Sequence, residues 1–324
     1  MTVRYDQLQR LGPRGVWRPW VGIPMLVVMV MAAQLVMAVV VSLFLAVSGT
    51  SGDAITAKLD GDPVTPSFLV LVNLGWAVAI PAVWLVARAL HGQTPGWIAS
   101  VVGGIRWRWL LTCLGLSVLA LAATVVMASV LPDQGASGVE MSGELNPWTS
   151  AARDFLLVTL LLTPLQAAGE EYVFRGYLAQ AFGGVAARFG PRVSATVAVV
   201  VPALLFALAH GLGQDVPTFF DRFAFGLVAG VLVLLTGGLE AGIAMHVLNN
   251  FLAFGLALSF GDMTEALNPS GGTWWSIPVT LTQSFAYLGL AVWAARRMGL
   301  TTRADSTLSG PMGGAILEAR QGRV

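Results

Sequence analysis

Phe155-Leu156-Leu157-Val158-Thr159-Leu160-Leu161-Leu162-Thr163-Pro164-Leu165-Gln166-Ala167-Ala168 carries no charged side chain and leads directly into Gly169-Glu170-Glu171-Tyr172-Val173-Phe174-Arg175-Gly176. A run of this length and polarity reads as a membrane-spanning helix. An ionised carboxylate at such depth costs about 3 kcal/mol or more, so two adjacent glutamates mark an intramembrane site by default. In a helix Glu171 and Arg175 share a face, with the acid on the N-terminal side, and can neutralise one another. Glu170 points about 100° away and stays available. The plainer alternative is a structural ion pair beside an incidental acid.

The rest of the chain fits a membrane protein. Of 324 residues, 56% are hydrophobic and 11% charged, and the mean hydropathy of +0.75 is too high for a soluble core to absorb. Apolar segments long enough to cross a ~30 Å hydrocarbon layer lie at Val21–Val47, Ser67–Leu90, Trp109–Leu131, Phe155–Phe182, Val193–His210, Phe223–Leu235, Ala241–Phe260 and Trp274–Ala295. The expected fold class is all-α, a polytopic bundle of about eight transmembrane helices, the sixth being short. Arginines concentrate on one set of alternating loops and acids on the other. The arginine-bearing loops are therefore expected to be cytoplasmic, with both termini inside.

The chain divides accordingly into a cytoplasmic N-terminal segment (1–20), N-terminal helices and loops without a recognised motif (21–154), a core that holds the chemistry (155–260), a last loop and helix (261–300) and a disordered tail (301–324). Trp17, Trp20, Trp107, Trp109, Trp148, Trp274 and Trp275 fall at expected helix ends, where indoles anchor among headgroups. Cys113 is the single cysteine, which excludes an intrachain disulfide and leaves it as packing. Gly135-Ala136-Ser137-Gly138 spells a serine-protease-like motif, but in a polar loop. Every aspartate is expected in a loop or tail, which argues against an aspartyl mechanism.

Two further clusters accompany the glutamates. Phe206-Ala207-Leu208-Ala209-His210 ends the fifth apolar segment with an aromatic and a histidine on one face, and His246-Val247-Leu248-Asn249-Asn250 places His246 and Asn250 one turn apart on the seventh. Taken singly, these are an interfacial histidine and a hydrogen-bonding pair between helices. Together they give the order Glu-Glu-x-x-x-Arg, Phe-x-x-x-His, His-x-x-x-Asn. That order resembles the signature of the CPBP family, which comprises the CAAX prenyl endopeptidases and the bacteriocin-processing or Abi proteins of membranes.

The resemblance implies peptide-bond hydrolysis within a helical bundle. By it, Glu170 acts on water, His210 positions that water and moves protons, His246 and Asn250 stabilise the oxyanion, and Glu171 with Arg175 supports them. The family's common description as metalloproteases leaves open a divalent metal such as zinc, held by Glu170, His210 and His246 with an open position. No His-Glu-x-x-His helix is present. Expected partners are the lipid bilayer and a membrane protein, lipoprotein or peptide substrate, with no nucleic acid. The expected location is a bacterial plasma membrane. Readings from other classes are a non-catalytic immunity or scaffold protein and, with less support, a transporter.

Counting residues from the expected helix ends puts His246 within about 10 Å of the cytoplasmic side and His210 near the opposite face. For the motifs to meet, the fifth helix must be broken or start deeper, or the Thr236-Gly237-Gly238 turn must lie within the membrane.

Overall fold

The computed structural model describes residues 2–13, 15–130, 144–211, 213–268, 272 and 274–305. The Gly135–Gly138 motif and most of the loop that holds it lie outside them, as does the chain after residue 305. Strand β1 (Thr2–Arg4) and a short 3-10 helix (Tyr5–Leu11) precede α1 (Trp17–Val47), α2 (Gly52–Leu59), α3 (Pro66–Ala77), α4 (Ala79–His91), α5 (Gly96–Ala99) and α6 (Trp107–Val130). Then come α7 (Ser150–Glu171), a π-helical segment (Tyr172–Leu178), α8 (Ala179–Ala186), α9 (Pro191–Ala209), α10 (Val216–Thr236), α11 (Glu240–Phe260), α12 (Met263–Leu267), α13 (Ser276–Arg297) and strand β2 (Arg303–Asp305).

The protein is an all-α polytopic bundle. Eight helical segments among the described residues are long and apolar enough to cross a membrane, with α3 and α4 forming one and Ser150–Phe189 another. Their exposed faces are rich in large apolar side chains such as Leu35, Leu119 and Leu161, as expected of helices solvated by lipid.

Four features depart from the sequence reading. The sixth span begins at Val216, so Asp221 and Arg222 sit in α10 rather than in a loop. The start is set by Asp215, whose side chain caps the Thr218 N–H over 2.8 Å, and by Pro217 in the first turn. Trp109 is buried in the core with 1% exposure, whereas Trp17, Trp20, Trp107, Trp148, Trp274 and Trp275 are exposed. The chain past Thr301 is not all tail, because Arg303–Asp305 pairs antiparallel with Thr2–Arg4. That pairing brings the two ends of the described chain to the same end of the bundle. Finally, an unanticipated ion pair, Arg106 with Glu240, is bidentate at 2.8 and 2.6 Å and fixes the start of α11.

The turn between α10 and α11 has its backbone paired from outside. Val101 N–H donates to the Gly237 carbonyl and Leu239 N–H to the Ala99 carbonyl, each over 2.9 Å. Ile98, Ala99, Ser100 and Val101 are all buried beneath it. A buried turn requires this satisfaction of its polar groups.

Candidate active site

Glu170 and Glu171 end the regular part of α7, where the chain changes from α to π geometry for seven residues. π segments are rare and are frequently found at functional sites. Two close approaches press neighbours onto this point. A Cβ on Gly169 would lie 2.0 Å from the Trp76 carbonyl oxygen, so glycine lets α7 meet α3 there. A Cβ on Gly242 would lie 2.7 Å from Glu171 Oε2, so α11 reaches the carboxylate only because that position has no side chain.

Within this packing Arg175 Nη1 donates to Glu171 Oε1 over 2.9 Å, and both residues are about fully buried, at 1% and 0% exposure. The guanidinium lies over the Phe206 ring, its Cζ 4.1 Å from the centroid, which adds a cation–π contact. His246 touches both acids. Its Nδ1 is 3.1 Å from Glu171 Oε1 and its Nε2 is 3.6 Å from Glu170 Oε2. An ionised carboxylate can only accept, so Nδ1–H donates to Glu171 and the Nε2 edge turns towards Glu170.

His210 caps the end of α9, and its Nδ1 is 2.8 Å from the Phe206 carbonyl. A carbonyl accepts only, which puts the proton on Nδ1 and leaves Nε2 as an acceptor. The register explains how His210 reaches the glutamates. Ser194 Oγ donates to the Gly183 carbonyl over 2.9 Å and aligns the foot of α9 with α8. At about 1.5 Å per residue along both antiparallel helices, His210 comes level with residue 167, beside Gln166 and Glu170. The helical segment Ser150–Phe189 is 40 residues long, far more than a ~30 Å layer requires, so α9 starts deeper than its apolar pattern suggests.

Glu170, His210, His246 and Asn250 line one cavity of about 280 Å³. Glu171 and Arg175 lie behind its wall. Gln166, which sequence reasoning missed, bridges two of the lining groups. Its Nε2 donates to Glu170 Oε1 and its Oε1 accepts from Asn250 Nδ2 over 3.0 Å. Glu170 Oε2 is buried and makes no hydrogen bond to any described protein group. Asn249 was also missed. Its Oδ1 accepts from Gln283 Nε2 over 3.2 Å, while Thr124 Oγ1 donates to Gln283 Oε1 over 3.1 Å, so a polar chain ties α6, α13 and α11 together beside the cavity.

Phe225 packs its ring 5.3 Å from that of His246. Asp221 and Arg222 reach the same cavity, which corrects their expected place in a loop. Arg222 donates to Gln214 Oε1. Among the described residues Asp221 is the one aspartate lining the cavity, and an aspartyl mechanism requires two on facing helices.

The donor set can be tested against a metal. Glu170 Oε2 and His246 Nε2 face one another, but among the described residues no three His, Cys, Asp or Glu side chains are grouped as ligands. Glu170 Oε1, His246 Nδ1 and His210 Nδ1 are engaged by Gln166, Glu171 and the Phe206 carbonyl, which leaves Glu170 Oε2 and the two Nε2 atoms as the ones that would face an ion.

Comparison with known proteins places the same region. The chain is 24% identical over 253 residues to the uncharacterized protein YyaK of Bacillus subtilis, covering 74% of this chain and 80% of the relative. No solved structure matches. Residues 152–252 match the family described as type II CAAX prenyl endopeptidase Rce1-like, a CAAX-type protease class. The match spans all three motifs and is consistent with the CPBP family.

Proposed function

We propose that the protein is an intramembrane endopeptidase that hydrolyses a peptide bond of a membrane-associated or lipidated protein or peptide. The observation that carries this reading is the state of Glu170. Its Oε1 is fixed by Gln166, while its buried Oε2 makes no hydrogen bond among the described residues and lies 3.6 Å from His246 Nε2, at the wall of the cavity shared with His210 and Asn250. Two atoms at that separation can share one water.

In this mechanism Glu170 takes a proton from that water as the oxygen attacks the scissile carbonyl carbon. The free acceptor Nε2 of His210 orients the water. The C=O bond opens to a tetrahedral oxyanion, which accepts hydrogen bonds from Asn250, through its amide hydrogen not given to Gln166, and from the Nε2–H of His246 in its doubly protonated form, whose Nδ1–H stays on Glu171. Return of the proton from Glu170 to the leaving nitrogen breaks the C–N bond, releasing a carboxylate and an amine. Glu171 holds the Nδ1 side of His246 and neutralises Arg175. No step passes through a metal.

The arginine-bearing loops and both termini are assigned to the cytoplasmic face of a bacterial plasma membrane. The test is to compare peptide termini in membranes of cells carrying the intact protein or Glu170→Gln. New termini that depend on Glu170 identify the substrate. Identical termini at equal protein levels refute the enzymatic reading.

A further inference from the structure

Away from the cavity of Glu170, α10 and α13 leave a groove of about 640 Å³ on the outer face of the bundle, within the ~300–1,000 Å³ of ligand-binding clefts. Phe285, Leu288, Gly289, Val292 and Arg296 of α13 line it. Their spacing of three and four makes one continuous stripe along the helix. Leu235 of α10 and the exposed ring of Trp293 supply further apolar wall. From Phe285 to Arg296 the stripe runs about 16 Å at 1.5 Å per residue, the depth of one leaflet of a ~30 Å hydrocarbon layer.

The groove has one polar end. Arg296 and Arg297 form the last turn of α13, and both are exposed. Among the described residues neither forms an ion pair with a carboxylate. The Cζ of Arg297 lies 5.9 Å from the Trp293 ring centroid, which draws the guanidinium towards the groove mouth. An apolar channel one leaflet deep that ends in two cations is complementary to an acyl chain carrying an anionic head.

We propose that this groove binds one anionic phospholipid, its acyl chain along Phe285–Val292 and its phosphodiester against Arg296 and Arg297. Guanidinium groups bind phosphate oxygens in paired, charge-assisted geometry. A zwitterionic headgroup offers the same phosphate but brings its own ammonium against the two arginines, so the site selects for net negative charge.

The test uses the purified full-length chain in detergent, with phosphatidylglycerol or phosphatidylcholine of identical acyl chains, native mass spectrometry of retained lipid and thermal unfolding. The expected result is one retained phosphatidylglycerol and a larger rise in Tm than phosphatidylcholine gives. Arg296→Gln with Arg297→Gln should weaken phosphatidylglycerol retention by roughly thirtyfold, the scale of two basic side chains at a headgroup surface. Gly289→Leu tests the tail independently. A Cβ at Gly289 meets no heavy atom within 4 Å, so the larger side chain enters the groove without a clash at that atom and should displace the lipid.

Equal retention of the two lipids, retention unaffected by either variant, or a dimer that covers this face in place of lipid would overturn the proposal. None of these substitutions touches the cavity of Glu170. Peptide cleavage measured in parallel therefore separates failure of this site from failure of the proteolytic reading.

Discussion

The two adjacent glutamates have opposite surroundings, and the difference predicts opposite phenotypes. Oε2 of each glutamate makes no hydrogen bond among the described residues, but Glu171 Oε1 carries both the Arg175 and the His246 Nδ1 contacts behind the cavity wall, whereas Glu170 lines the cavity itself. Glu170→Gln should abolish turnover with little change in thermal stability. Glu171→Gln leaves Arg175 in a buried site without its counter-charge and should cost about 3–5 kcal/mol, read as a fall in Tm and in folded yield. Parallel losses of fold and activity in both variants would contradict this division. The same geometry makes a chelation experiment informative, since the proposed water-activating step needs no metal. Thorough chelation of the purified protein should leave turnover intact, while Asn250→Ala should lower kcat by about 10²-fold, the scale of losing one oxyanion donor. Loss on chelation with recovery on return of one divalent ion would overturn the mechanism. At this scale much was legible from helical spacing alone, because Glu171 with Arg175 and His246 with Asn250 are each four residues apart. Gln166 carried the same signal, a polar residue four before Glu170 in an otherwise apolar run, and needed only that face to be followed one turn further back. Asn249 offered no such cue, since its partner Gln283 lies on another helix.

Elements were legible where apolar runs had clean ends and were misread where charge fell inside a helix. Asp221 and Arg222 look like loop residues by polarity, yet Asp215 and Pro217 carry a capping signal six and four residues earlier. The π segment after Glu171 had no sequence signal at all, since its geometry follows from packing against α4, α8 and α9 rather than from propensity. Packing of α11 against α7 yields a prediction at this level. Gly242 is the position at which α11 passes Glu171, and an added Cβ would lie 2.7 Å from Oε2. Gly242→Ala should therefore push the carboxylate or the helix aside, lengthening the His246–Glu171 contact. Activity should fall by about tenfold or more through misplacement of about 1 Å, while overall stability falls by only about 1–3 kcal/mol, the usual range for overpacking. Turnover equal to that of the parent would show that this close approach does not position the site.

For the whole molecule, the difficulty in the sequence was depth. Counting each apolar segment as one crossing separates His210 from His246, because it cannot register that Ser150–Phe189 runs on for 40 residues and carries the start of α9 down with it. The β1–β2 pairing, invisible in hydropathy, closes the described chain at one end of the bundle. Eight spans among the described residues put residues 2 and 305 on one side, and this pairing brings them together by an independent route. In the proposed orientation the arginine asymmetry puts that side in the cytoplasm. Cys113 is buried in α6, so a single-cysteine experiment has a quiet background after Cys113→Ala. Arg303→Cys, exposed in β2, should resist a membrane-impermeant thiol reagent on intact cells and react after lysis. Ala57→Cys, exposed in α2 between the first two spans, should react on intact cells without lysis. The reverse pattern would turn the bundle over and place Arg106, Arg296 and Arg297 outside, against the charge rule. Labelling of both positions on intact cells would break the single orientation that the paired strands and the even number of spans together require.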